Sequence, residues 1–307
     1  MSAIRIEGLR KRYGAVQALD GLSLEVASGT IFGFLGPNGA GKTTTLRILA
    51  GLALPTSGRA WVAGEPAGPD SPARAHIGYL PEEPRFYGWM TPREILERYV
   101  AGLFGLEVAE AKVRAEQVLV RVGLSSVTKR RIAGFSRGMR QRLGLAQALI
   151  NHPQVLLLDE PVSALDPGAR RDMLELIGSL KAEATVFMST HILEDVERIC
   201  DTVGVIHHGR LLVLEERQQL LDRYAVPAVE VEFEATAEAV AAWATGAGRH
   251  PGVASAQVNG SHVRLRLNSP ASAPDVQRLV LESRMVVRRY EMARPSLEDV
   301  FLRLVEA

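Results

Sequence analysis

The sequence predicts an α/β fold with an inserted helical subdomain, followed by a small α+β domain of ferredoxin-like order. Three observations carry this expectation. Short apolar runs with strand character alternate with helical patterns through about residue 210, strand signals fade between residues 83 and 150, and the pattern changes character again near residue 225. At 307 residues the chain exceeds the usual size of one hydrophobic core, so two domains are expected, residues 1–224 and 225–307.

The strand-like runs of the first domain are residues 3–7, 29–35, 155–158, 185–189 and 202–207, and their alternation with helices argues for a largely parallel sheet. Residues 93–102 and 110–122 show helical spacing and define the insertion. A charged helix at residues 215–223 leads to Ala225-Val226-Pro227, where the second domain is expected to begin. Its order is strand (229–234), helix (237–245), hairpin (253–258 and 263–267, turning at Asn259-Gly260), helix (274–283), strand (285–290) and helix (296–305).

Composition is that of a packed globular protein, 47% apolar and 23% charged. The 36 basic residues against 35 acidic ones leave a formal charge of +1, so no global field of the kind used by non-specific nucleic-acid binders is present. The single cysteine, Cys200, has no cysteine or histidine at metal-ligand spacing, which fits a reducing compartment. No apolar run approaches the roughly 20 residues that cross a bilayer, and the start lacks an apolar leader core, so any pore is expected on another chain.

The chemistry is concentrated in two motifs. Gly36, Pro37, Asn38, Gly39, Ala40, Gly41, Lys42 and Thr43 match the P-loop pattern, standing between an apolar strand and a helical run that opens at Thr44. Glycines let the backbone curl so that successive N–H groups point inward, and the following helix adds partial positive charge where phosphates sit. Lys42 is expected to reach the β- and γ-phosphates, and the Thr43 hydroxyl to ligate Mg²⁺. Val155 to Leu158 then end in Asp159 and Glu160, a Walker B arrangement that delivers two carboxylates to the sheet edge beside the cradle. Asp159 is expected to hold Mg²⁺, and Glu160 to orient and deprotonate an attacking water.

With these motifs in place, residues 3–220 resemble the ABC ATPases, and several further motifs follow in that family's order. Phe135-Ser136-Arg137-Gly138-Met139 looks like the signature, Ser163-Ala164-Leu165-Asp166 like the D-loop, and His191 like the switch histidine. Tyr13 matches the aromatic residue that stacks on adenine, and Glu82 stands in the Q-loop position, where the resemblance makes it a further Mg²⁺ ligand. The family implies a head-to-tail pair of copies in which ATP lies between one P-loop and the other copy's Ser136 and Gly138, powering a membrane-spanning permease from its cytoplasmic face. His191 is then expected to sense the γ-phosphate.

Two departures refine the resemblance. Phe135, Arg137 and Met139 replace the commonest signature residues, and Glu82 replaces glutamine. Both, with the ending Pro295-Ser296-Leu297-Glu298-Asp299-Val300-Phe301, resemble the branch that serves drug-, lipid- and polysaccharide-exporting transporters. A soluble ABC-type ATPase acting on nucleic acid or ribosomes, and a small-molecule kinase, are the rival readings. The long coiled coil, second ATPase half or metal clusters typical of the first, and any reason for a signature in the second, are missing from the sequence.

Several other features have competing readings. The aromatic cluster Phe86, Tyr87 and Trp89 is either a docking groove for a partner helix or subdomain core. Lys129-Arg130-Arg131 reads as a solvated loop and His207-His208 as a turn before Gly209. In the second domain, Glu230, Glu232 and Glu234 are expected to meet Arg264 and Arg266 on one exposed sheet face, with the first strand beside the third. Leu297, Val300, Phe301, Leu304 and Val305 form the apolar face of a last helix capped by Ser296.

Overall fold

The computed structural model describes residues 2–163, 165–224, 227–293 and 297–306. The chain divides into two compact units, Met1–Arg217 and Gln218–Ala307.

The first unit opens with a long hairpin, β1 (Ser2–Tyr13) and β2 (Val16–Ala27), turning at Gly14, whose φ of +57° suits a residue without Cβ. After β3 (Ile31–Leu35) and α1 (Lys42–Leu49) come β4 (Ser57–Val62), β5 (Glu65–Pro66) and β6 (Ile77–Leu80). The helical insertion holds α2 (Pro92–Glu94), a π-helical stretch (Ile95–Val100), α3 (Ala101–Leu103) and α4 (Val108–Arg121). Then follow α5 (Arg137–Leu149), β7 (Val155–Asp159), α6 (Pro167–Ser179), β8 (Thr185–Thr190), α7 (Leu193–Ile199), β9 (Thr202–His207) and β10 (Arg210–Glu216).

These strands form two sheets. The main one runs β10-β9-β3-β8-β7-β6, parallel throughout except where β10 pairs antiparallel with β9. Strands β3, β7 and β8 are buried at every residue, as expected of parallel strands covered on both faces. Phe32, Phe34 and Phe187 meet between them at ring separations of 4.8–6.1 Å. The second sheet, β2-β1-β4-β5, is antiparallel. Residues 3–7, expected in the parallel sheet, belong here instead. The tight turn after Tyr13 sends the chain straight back along itself, and a hairpin pairs only antiparallel.

The second unit begins within α8 (Arg217–Tyr224), ahead of residue 225, where the change of strand pattern had placed the boundary. That helix starts directly at the end of β10, so composition marks the next strand and not the division itself. Then come β11 (Ala228–Glu234), α9 (Ala237–Ala247), β12 (Val253–Asn259), β13 (His262–Leu267), α10 (Ala273–Glu282), β14 (Val286–Met292) and α11 (Leu297–Glu306). The sheet order β12-β13-β11-β14, antiparallel at each pairing, is the ferredoxin-like order. Val229, Val231 and Phe233 pack inward with Val240, Val263, Leu265 and Val276. On the other face Glu230 stands opposite Arg264 and Glu232 opposite His262, while Arg266 falls opposite Ala228, so acidic and basic rows meet as expected at the first of these positions. In α11, Leu297 and Val300 are buried; Ser296 and the side chain of Val305 lie outside the described residues.

Candidate functional site

The phosphate-binding loop joins β3 to α1, and its shape is forced by close approaches. A Cβ on Gly36 would stand 2.3 Å from the Ile206 carbonyl, and one on Gly41 would stand 2.6 Å from the Ala18 carbonyl, at a φ of +109°. No side chain fits at either position, so β9 and β2 mould the loop from outside. Pro37, Asn38 and Gly39 form its outer bend, Ala40 is buried beneath it, and Thr44 is half-buried in the first turn of α1.

Parallel pairing puts the ends of β3, β7 and β8 side by side, and this register assembles the polar centre. Asp159 pairs with Ser189 and Leu35 with Thr190. The Ser189 hydroxyl donates to Asp159 Oδ1 at 2.7 Å, and the Thr43 hydroxyl donates to the same oxygen at 3.1 Å. Burial pushes the Asp159 carboxyl above its ordinary range, opposed by these two hydrogen bonds and reinforced by the Glu160 charge. A buried carboxylate flanked by hydroxyls is a hard oxygen donor set that a small divalent cation suits.

Lys42 and Glu160 are 5% and 6% exposed, and Nζ lies 3.2 Å from Oε1. Nζ also donates to the Gly36 and Pro37 carbonyls at 2.6 and 3.2 Å. Glu160 leaves its strand with φ +47°, held there by its N–H donating to the Ser189 hydroxyl at 3.0 Å. Its other oxygen, Oε2, is 3.0 Å from His191 Nδ1. A chain of polar contacts thus runs Lys42–Glu160–His191.

Other expected residues lie elsewhere. Glu82 is exposed, its carbonyl accepting from Gln141 Nε2 at 3.4 Å, and among the described residues its side chain does not meet Thr43 or Asp159. It sits after the end of β6, in a cleft of about 500 Å³ shared with Arg137 and Arg140. Ser136 caps α5, its hydroxyl accepting from the Met139 N–H at 3.2 Å, and Gly138 faces Leu165 and Ala169. Asp166 caps α6 through the Ala169 N–H at 3.0 Å, while Ala164 lies outside the described residues. Tyr13 ends β1 half exposed, with the Lys11 ammonium 4.7 Å from its ring centre.

Tyr87 and Trp89, read as either groove or core, are surface residues. With Tyr99 they are 50%, 68% and 51% exposed, ring centres 5.7–5.8 Å apart. Arg130 and Arg131 are exposed in their loop. His207 and His208 touch edge to face at 4.0 Å because His208 has already left the strand at φ +47°. Among the described residues no group of three potential metal-ligating His, Cys, Asp or Glu exists. Sequence reasoning missed Ser189, which ties Asp159 to Glu160; its signal was a small polar residue at the end of an apolar strand, legible once the register is known.

Comparison with known proteins agrees with this geometry. The family model described as ABC transporter matches residues 19–163, and that described as the DrrA1-3-like ATP-binding protein C-terminal domain matches residues 216–305. An uncharacterised ABC transporter ATP-binding protein of Bacillus subtilis (strain 168) is 37% identical over 99% of this chain and 100% of its own length. A Nod factor export ATP-binding protein I of Rhizobium sp. (strain N33) is 37% identical over 98% of this chain and 96% of its own. A solved ATP-binding subunit of an ABC transporter superposes with a TM-score of 0.65 at 32% identity, covering 72% of this chain and 93% of that one. No helix among the described residues is long and apolar enough to cross a membrane. The chain belongs to the ABC transporter family, as an ATP-hydrolysing subunit that powers a transporter and carries a DrrA-like C-terminal domain.

Proposed function

We propose that the transporter this subunit powers is an exporter, that the subunit docks on a membrane-spanning partner at the cytoplasmic face, and that two copies close on ATP. The signature and Q-loop departures, together with the export named for the Nod factor relative, support the direction. The carrying observation is the site where Lys42, Thr43, Asp159, Glu160 and His191 converge.

In this reading Tyr13 stacks on adenine, and the loop from Gly36 to Thr44 binds the phosphates, with Lys42 moving from Glu160 to the β- and γ-oxygens. Thr43 and Asp159 hold Mg²⁺, which supplies neutralisation of phosphate charge when bound. Glu82 reaches that shell only if the segment after β6 moves. Glu160 takes the proton of the attacking water, and His191 orients Glu160 and senses the γ-phosphate. Ser136, at the N-terminus of α5, and Gly138 serve the other copy's nucleotide. Asp166 acts as a helix cap that shapes the D-loop.

The partner is proposed to enter a cleft of about 740 Å³ between the core and the helical insertion, bordered by Leu52, Tyr79, Leu103 and Phe104. The exposed aromatic cluster Tyr87, Trp89 and Tyr99 would supply anchors of the type that dominate interfaces. The C-terminal domain is proposed as a regulatory or assembly module. Purification from detergent-solubilised membranes tests the whole reading: a polytopic membrane protein should co-purify, and substituting Trp89 and Tyr99 by Ala should release it. Recovery with ribosomes or nucleoid in its place overturns the transporter partner.

A further inference from the structure

The helix that follows the D-loop holds two other functional helices, and one of those attachments is a buried ion pair that the chemistry described above does not use. Arg170, on α6, donates from Nε to Asp195 Oδ1 at 2.7 Å, and its Nη2 lies 2.7 Å from the same oxygen and 3.6 Å from Glu194. Asp195 belongs to the first turn of α7, immediately downstream of His191, and is 1% exposed. Its second oxygen, Oδ2, is buried without a hydrogen-bond partner among the described residues. Burial raises the Asp195 carboxyl above its ordinary range, and the Arg170 hydrogen bond and charge oppose that rise.

The same stretch of α6 is pinned to the signature helix. Arg142 of α5 pairs with Asp172 at 3.1 Å, and a Cβ on Gly138 would stand 3.7 Å from Leu165 and 3.9 Å from Ala169. Asp166 fixes the start of α6 by capping it. Two turns of one helix therefore touch the signature on one side and the switch segment on the other.

A buried ion pair is a poor device for stability alone, since apolar residues of similar volume commonly do as well. What it supplies is direction, because a guanidinium N–H donated to a buried carboxylate oxygen fixes orientation as packing does not. We propose that Arg170 and Asp195 are positioning residues: their pair sets His191, and through it Glu160, relative to the D-loop helix and the signature helix. A displacement of α6, from either neighbour, is thereby delivered to the imidazole that touches Glu160.

The inference rests on the proposed role of His191, and the test separates the two. In the purified full-length chain, turnover, ATP affinity, melting temperature and the NMR titration of the His191 imidazole are measured for Asp195→Asn and Arg170→Lys, each alone and combined with His191→Ala. Asp195→Asn is expected to lower kcat about tenfold while ATP affinity stays within about twofold, and to shift the His191 resonances. Arg170→Lys, which keeps the charge, is expected to fall between it and wild type. In the His191→Ala background neither substitution should lower kcat further, because both act through the absent ring. If the effects instead multiply in full, or if His191 resonances stay put while kcat falls in step with melting temperature, the pair is a structural clip and the inference is overturned. Wild-type kcat in His191→Ala overturns the role of His191 as well; a low kcat there with multiplying effects overturns the joint alone. Should Asp195→Asn not fold, Arg170→Lys carries the same measurements.

Discussion

The two units handle charge in opposite ways. At the strand ends of the first, Lys42, Asp159 and Glu160 are 5%, 1% and 6% exposed, and Glu160 holds a left-handed backbone. On the sheet of the second, Glu230 and Arg264 sit 3.8 Å apart with side chains 44% and 26% exposed, in ordinary strand geometry. Burial makes the first set costly to the fold and strong in its effect on a reacting phosphate; exposure makes the second set cheap and weak. The difference separates residues kept for chemistry from residues kept for a solvated face.

The comparison breaks most readily at Glu160. Glu160→Gln should keep ATP binding and slow hydrolysis by roughly 10² to 10⁴, the usual share of a general base, in a steady-state phosphate-release assay. Wild-type-like turnover would remove Glu160 from the chemistry. Next is Lys42→Met, which strands the Glu160 carboxylate in a buried site; it should lose nucleotide binding and about 3–5 kcal/mol in urea melts. Combining it with Glu160→Gln should recover most of that stability without recovering activity.

Asp159→Asn sharpens the contrast with a change of sign. Because burial raises the Asp159 carboxyl above its unfolded value, the folded chain without metal binds the extra proton, and its stability falls as pH rises from the unfolded pKa through the folded one. The amide escapes this loss, so Asp159→Asn should melt higher than wild type at neutral pH, converge with it in acid, and abolish hydrolysis. The smallest effect belongs to the second unit. Glu230→Ala should cost under about 1 kcal/mol and leave turnover unchanged, and a larger loss would end the reading of that sheet face as merely solvated.

Legibility divides along a physical line. The cradle could be read because its geometry is local: Gly36, Gly39, Gly41 and Lys42 act within one turn of chain. The ferredoxin-like order could be read because its strands alternate polar and apolar residues and its helices start at caps such as Thr236. Strand register was not legible. It brings Ser189 to Asp159 and Glu160, and the meeting of α6 with α7, which puts Arg170 beside Asp195, was no more legible. The early hairpin was half missed, since β2 and β4 carry their pattern over irregular pairings with several register shifts. Glu82 was given a metal by resemblance, and the described structure leaves it exposed after β6.

The left-handed backbone of Glu160 also bears on how this protein tolerates change. A residue with a full side chain held at φ +47° costs about 1–2 kcal/mol relative to one at ease there, and glycine or asparagine is at ease. In a Lys42→Met background, where no buried ammonium is left unpaired, a laboratory selection that rewards only folded, abundant protein should therefore recover Glu160→Gly and Glu160→Asn as suppressors of destabilising lesions elsewhere in the first unit. A selection that also demands transport should never recover them. Heritable robustness and turnover compete for that one peptide unit.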